Sequence, residues 1–235
     1  MTENEPSRPP KESVGDHGHA LTRAGLGAIP FVGQAAVELF NKVITPPIEK
    51  RRDEWRRTVG ERLDDLEKRG ALNLDDLADN ESFGTTVLQA SYAAIRNHQN
   101  EKLNALRNAV LNSALPSPPD ESLQQVFLNL VDTFTVWHLR LLDLLENPVR
   151  WFQVHGEGPP SIHIGSLDSV IEAAFPELQG KRDFYDQVVK DLHDRGLIEI
   201  ESVHTIMSGR GLMEERASSM GLQFLRFIRA PEVDG

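Results

Sequence analysis

The stretch Asn80–Ala114 constrains the fold more than any other. Phe83, Val87, Ala90, Ala94, Leu103, Leu106, Val110 and Ala114 recur at helical intervals, and no proline interrupts them before Pro116. Asn80 is placed to cap the start, Glu81 sits where the helix dipole favours an anion, and Pro116 stops the pattern. A continuous helix of about 33 residues at ~1.5 Å each would be a rod of roughly 50 Å. A rod of that kind needs other helices to cover it, so the expected fold class is mainly α. Its centre is unusual: from Arg96 to Lys102 there is no apolar residue. His98 and Lys102 share one face, Asn97 and Glu101 another. His98, Glu101 and Lys102 are therefore the candidate polar site, provided that they are buried and paired with a neighbouring helix. Their spacing does not suit a di-metal bundle site, which needs Glu-x-x-His from two helices and further glutamates, so no metal is expected.

Composition narrows the function classes. The 235-residue chain carries a formal net charge of −11. Sequence-independent binding to phosphate backbones draws its affinity from Lys and Arg, so this balance disfavours it. There is no cysteine, which removes disulfides, thiolate nucleophiles and Cys-ligated zinc and is compatible with a reducing cytosol. The opening residues do not form a secretory signal, and no uncharged apolar run reaches the roughly 18 residues of a spanning helix. Localisation is thus expected to be cytoplasmic, with a peripheral membrane association as the finer alternative.

That alternative comes from the N-terminal third. Residues 1–19 are polar and Pro-rich and read as a disordered tail; His17 and His19 within it lack further ligands. Next comes an apolar, glycine-rich run, Ala24-Gly-Leu-Gly-Ala-Ile-Pro-Phe-Val-Gly. Pro30 breaks any helix entering it, and a helix from about Val32 to Ile44 is expected to follow. The run resembles the small-apolar-Pro-apolar-Gly segments of some membrane-active bacterial proteins. The resemblance implies a shallow membrane contact through Leu26, Ile29, Phe31 and Val32, against the plainer reading of a buried helix. Pro46-Pro47 should end this helix. A second should then run to about Arg69, with Trp55, Val59, Leu63 and Leu66 on its apolar stripe and Arg51, Arg52, Arg56 and Arg57 as a local basic patch. Glu49, Asp53 and Glu54 are interleaved with these arginines at pairing distances.

Beyond Pro116, Leu123–Phe134 and the leucine-rich Val136–Leu145 read as helices, the second capped by Thr135 and the likeliest partner of the long helix. Gly, Pro and His cluster at 151–165, which is the expected linker between a bundle (20–150) and a second domain (166–230). That region orders as a helix from Ser166, a helix from Arg182 to a Gly196 stop, an alternating strand Leu197–Val203, a Ser208-Gly-Arg-Gly tip and a closing helix. The order resembles a winged-helix domain with a short β-hairpin. The resemblance implies a DNA-reading alternative, with Arg182, Lys190, Arg210 and Arg216 as the nucleic-acid contacts. Asp183, Asp186, Asp191 and Asp194 leave the helix that would read DNA nearly neutral, so packing or a protein partner is the favoured use.

No serine sits in a glycine elbow, the histidines are scattered, and Gly156-Glu-Gly158-Pro is not a phosphate loop. The expectation is a non-enzymatic interaction protein without cofactor. Its partner would be a protein or a second copy, with an anionic membrane surface or DNA as alternatives and no small-molecule substrate evident.

Overall fold

The computed structural model describes the backbone of residues 33–156 and 158–232 and side chains from residue 48 onward. The expected tail 1–19 and the apolar residues Leu26, Ile29, Phe31 and Val32 lie outside the described residues. The described chain is mainly helical, with eleven α-helices and one small antiparallel β-ladder among the described residues. Residues Met1–Lys50 form one unit and Arg51–Gly235 another; the second carries everything described below.

Helix α1 spans Gly33–Lys68 and passes through Pro46-Pro47, where a stop was expected. Two prolines remove two amide donors, so this is a weak point of the ladder, yet it stays helical. Within the second unit α1 buries Trp55, Val59 and Leu66, the stripe read from the sequence. Helix α2 (Leu74–Ala78) is a single capped turn, its first amides served by Asn73.

The expected rod is two helices. Helix α3 runs Glu81–Arg96, capped by the Asn80 side chain, and α4 runs Asn100–Ser113. Asn97, His98 and Gln99 form the joint, with Asn97 and Gln99 in extended backbone. The polar centre is therefore a turn: residues that cannot be packed were placed where the chain needs solvent. Breaking the rod folds α4 back onto α3 through Ala90, Ala93, Ala94, Ala105 and Ala109, whose small side chains permit a close approach.

Helices α5 (Glu121–Thr133) and α6 (Val136–Glu146) follow. Leu141, Leu142, Leu144 and Leu145 are fully buried, as their wide stripe requires. The Thr135 amide donates to His138 Nδ1 at 3.1 Å, which closes the start of α6. His138 stacks on Phe134 with ring centroids 4.5 Å apart. Burial pushes its imidazole below the ordinary value, against the Asp191 carboxylate 3.4 Å from Nε2.

Residues 151–165, expected as linker, lie inside the unit and hold structure. Helix α7 (Pro148–Val154) starts at once, with proline at its first position, and strand β1 is Ile164–Gly165. Helix α8 (Leu167–Ala174) and helix α9 (Arg182–Asp194) stand where the sequence put them. On α9 the inward aromatic is Tyr185, while its neighbour Phe184 is exposed, edge-on to Trp137. The alternating segment Leu197–Val203 does not form a strand; it contributes one bridge, Ile198 to Ala217. The ladder instead pairs β1 with β2 (Met207–Ser208), in register Ile164↔Ser208. The glycine-rich tip is a one-turn helix, α10 (Gly209–Leu212), capped by Ser208.

The last helix, α11 (Ser219–Ile228), returns to the bundle. Phe224 and Phe227 meet Phe127 at centroid distances of 5.4 and 5.8 Å. At its end Asn112 Nδ2 donates to the carbonyls of Phe227 (2.8 Å) and Arg229 (2.9 Å), and Asn108 Nδ2 to that of Ile228 (2.9 Å). Arg229 then reaches Asp143 and Glu146 at 2.6 and 2.8 Å.

Two glycines give opposite expectations. Alanine for glycine inside a helix ordinarily gains about 0.5–1 kcal/mol. A Cβ on Gly221 would lie 2.1 Å from the Leu197 carbonyl oxygen, whereas one on Gly60 meets nothing within 4 Å. Gly221→Ala should therefore lower the urea midpoint and Gly60→Ala should raise it. Equal shifts in the two variants would show that the α11 approach to Leu197 is not tight.

Candidate functional site

The largest apolar concavity among the described pockets lies between α1 and α3. Trp55 Nε1 donates to Ser91 Oγ at 2.9 Å, and Ser91 Oγ donates to the Val87 carbonyl at 2.6 Å. Arg51 reaches the Ile95 carbonyl at 3.3 Å. These contacts fix the two helices antiparallel. Val59 and Leu63 of α1, Phe83 and Val87 of α3 and Leu77 of α2 line the resulting trough, whose volume is about 760 Å³. Gly60 and Gly84 line it too, and a Cβ on either would meet open space.

One edge of the trough is a ridge. Leu88 and Tyr92, four residues apart on α3, are 56% and 59% exposed. Their far side borders a second, smaller recess of about 270 Å³ shared with α5. Single exposed leucines are ordinary; a leucine and a tyrosine standing together over an apolar trough are not. The polar groups lining the trough are few: Ser91 and the Trp55 indole, already engaged with each other, the Tyr92 hydroxyl, and Arg52 and Arg56 at one end.

A second cluster joins α8, α9 and the loop before β2. His204 lies between two carboxylates, with Nδ1 3.1 Å from Asp168 and Nε2 2.8 Å from Asp186, and Arg182 Nε stands 3.2 Å from the same Nε2. Arg182 sits 3.6 Å from the same Asp186 carboxylate. Burial works to raise the Asp168 carboxyl, but the Ser166 hydroxyl, the Ser169 amide and His204 outweigh it and hold it below the ordinary value. The Ser166 hydroxyl donates to Asp168, and the His204 amide donates to Ser202 Oγ at 3.2 Å. The cluster pins a loop to two helices. Among the described residues no group of three or more His, Asp or Glu side chains converges as a metal site.

The residues singled out from the sequence are dispersed. His98 is exposed in the joint. Glu101 pairs with Arg140 at the surface. Lys102 is 5% exposed and donates to the Asp132 carbonyl at 2.8 Å, closing the end of α5; burial lowers its ammonium pKa, with the Asp132 charge opposing. The three do not share a site. Of the cations assigned to nucleic acid, Lys190 is paired with Asp194, and Arg182 with Asp186. Arg216 is drawn inward to the Gly211 carbonyl at 2.5 Å. Arg210 alone is exposed without such a role. Among the described residues no helix is long and apolar enough to cross a membrane.

Sequence reasoning missed the trough and its ridge. The signal was present: Leu88, Tyr92 and Ile95 fall off the stripe of Phe83, Val87, Ala90 and Ala94, which gives α3 two apolar faces. His204 carried no comparable signal, because its partners lie 18 and 36 residues away.

Neither a family model, nor a curated protein, nor a solved structure matches this chain.

Tyr185 gives this region a titration signature. Burial, then the Glu172 carboxylate that its hydroxyl reaches at 3.2 Å, pushes the phenol up to about 12. A pKa raised in the folded state means stability that is whole below the unfolded value near 10 and is lost as pH rises towards 12. Urea midpoints should fall over that window, and Tyr185→Phe should flatten the fall. An unchanged slope in Tyr185→Phe would remove Tyr185 as its source.

Proposed function

We propose that this chain is a non-enzymatic protein-interaction module whose working surface is the trough between α1 and α3. The observation that carries the reading is the exposed Leu88–Tyr92 ridge beside an apolar concavity of about 760 Å³. Burying such surface is the main favourable term in association, and a folded chain does not otherwise gain by presenting it to water. Few polar groups converge in the trough, so it lacks the orienting contacts of a reaction site. Two of the four cations expected for DNA, Arg182 and Lys190, are committed to carboxylates of their own helix and Arg216 turns to the Gly211 carbonyl, which weakens the phosphate-binding alternative.

The test is a selection of binders from a randomised library of displayed peptides, with the full chain as bait. Selected peptides should lose more than tenfold in affinity, about 1.4 kcal/mol, when Leu88→Asp and Tyr92→Asp are combined. Val154→Asp, which changes an equally exposed apolar residue on α7, should leave binding intact. Binders indifferent to the ridge substitutions would place the working surface elsewhere.

A further inference from the structure

Resting on that reading, we propose that the occupant of the trough is an acidic amphipathic helix of a protein partner. It lies lengthwise, with its apolar face on the trough and its carboxylates against Arg52 and Arg56.

The shape selects a helix. The trough is walled by two antiparallel helices and is lined along α1 from Arg52 to Leu63. Eleven steps of ~1.5 Å make it about 17 Å long, or three helical turns. A helix of that length presents apolar side chains at i, i+4 and i+7 to a groove, the usual mode of helix-in-groove recognition. Among the described residues no strand borders the trough, so an extended peptide would find no ladder there to join. A bilayer would meet the projecting Leu88 and Tyr92, but Val59, Phe83 and Val87, which supply the floor, are recessed between the helices, where a helix reaches and a flat surface does not.

Charge selects the sign. Along the second unit's part of α1 the arginines differ in their surroundings: Arg51 reaches the Ile95 carbonyl and Arg62 lines a separate recess with Arg107. Arg57 is paired with Glu61, and Arg69, just past the end of the helix, with Asp65. Arg52 and Arg56 both line the trough, one helical turn apart, and among the described residues neither has a carboxylate within 4 Å. Glu49 precedes Arg52 by three residues and Asp53 precedes Arg56 by three, yet among the described residues neither forms an ion pair with them, and Glu54 lines a different recess beside Asn97 and Arg107. The chain as a whole is acidic at −11, which repels a second copy of itself at long range. At about 0.15 M salt the screening length is ~8 Å, so a carboxylate seated at the rim responds to the two arginines rather than to the distant surface.

The probes are three 18-residue synthetic helices that share one leucine face. They carry Glu, Gln or Lys at the flanking positions, and binding to the full chain is read by fluorescence anisotropy. The Glu peptide should bind at least fivefold tighter than the other two, and its advantage should shrink between 50 and 300 mM salt. Combining Arg52→Glu with Arg56→Glu should cut Glu-peptide affinity about tenfold and favour the Lys peptide. Both residues are exposed, and an unchanged urea midpoint confirms that the variant is folded. Gly84→Leu, which fills the trough from a position with open space, should weaken all three peptides.

Gln or Lys peptides that bind as tightly as Glu would overturn the acidic occupant. The trough would stand as the working surface if Leu88→Asp with Tyr92→Asp still abolished binding. If no peptide binds, either of two results replaces the acidic helix with another occupant. A dimer seen by light scattering and broken by Leu88→Asp would make it a second copy. Co-sedimentation with phosphatidylserine vesicles, lost on the arginine reversals, would make it an anionic bilayer. No binding to any of these probes would overturn both the occupant and the trough.

Discussion

The second unit is held closed by the docking of α11 on α4. The last carbonyls of any helix have no partner within it. Here they are met by Asn108 and Asn112, which stand one turn apart on α4 and so present their amides on the same face. The contact joins residues 120 positions apart. Bringing such distant parts together has a closure entropy that a pair of hydrogen bonds alone does not offset. Phe224 and Phe227 supply the remainder by burying against Phe127, and Arg229 anchors the chain after the helix to Asp143 and Glu146 of α6. The same docking covers the leucines of α6 from one side while α9 covers them from another. The expected division at 151–165 thus falls within a continuous core, because the closing helix belongs to the bundle that precedes it.

Charge is distributed so that structure consumes most of the cations. Arg140 answers Glu101, Arg96 answers Asp132, Lys190 answers Asp194, and Lys102 is drawn under α5 to a carbonyl. Pairs of this kind at the surface contribute little each. Other arginines, Arg62, Arg195 and Arg226 among them, form no ion pair among the described residues. Arg52 and Arg56 stand out against that background because they border apolar surface.

Much of the architecture was legible from local pattern. The caps Asn80, Thr135 and Ser166, the leucine stripe of α6 and the Gly196 stop of α9 all mark elements that exist, because each depends on residues within one or two turns. The misreadings arose where a distant partner overrules local preference. The Asn80–Ala114 period continues in phase across a joint, so periodicity alone could not show that α3 and α4 fold back on each other. The polar residues Arg96–Lys102 were the available warning, and they mark the turn. Leu197–Val203 alternates like a strand, but β2 was claimed by β1 from the other side of α8 and α9, leaving that segment one bridge. Pro46-Pro47 forbids neither helix in absolute terms; it raises the cost of one that forms nonetheless. The candidate trough was legible only in part. Its basic rim and the apolar stripe of α1 were read, but not that the second face of α3 would stand beside them.

The trough follows from how α3 is divided between two packing tasks. Its alanines, Ala90, Ala93 and Ala94, are buried and let α4 and α5 approach closely, which satisfies the core with small side chains. Its large residues, Phe83, Leu88, Tyr92 and Ile95, are then left for the other side. Alpha1 approaches that side at Trp55, fixed by the Ser91 hydrogen bond, and the two glycines Gly60 and Gly84 keep the space between the helices unfilled. A helix stabilised only for packing would gain from alanine at Gly60, where nothing obstructs it. Keeping glycine there forgoes stability and preserves width. Width, an apolar floor and two arginines without an ion pair among the described residues coincide at one place, and that coincidence, rather than any single residue, distinguishes the trough from ordinary surface relief.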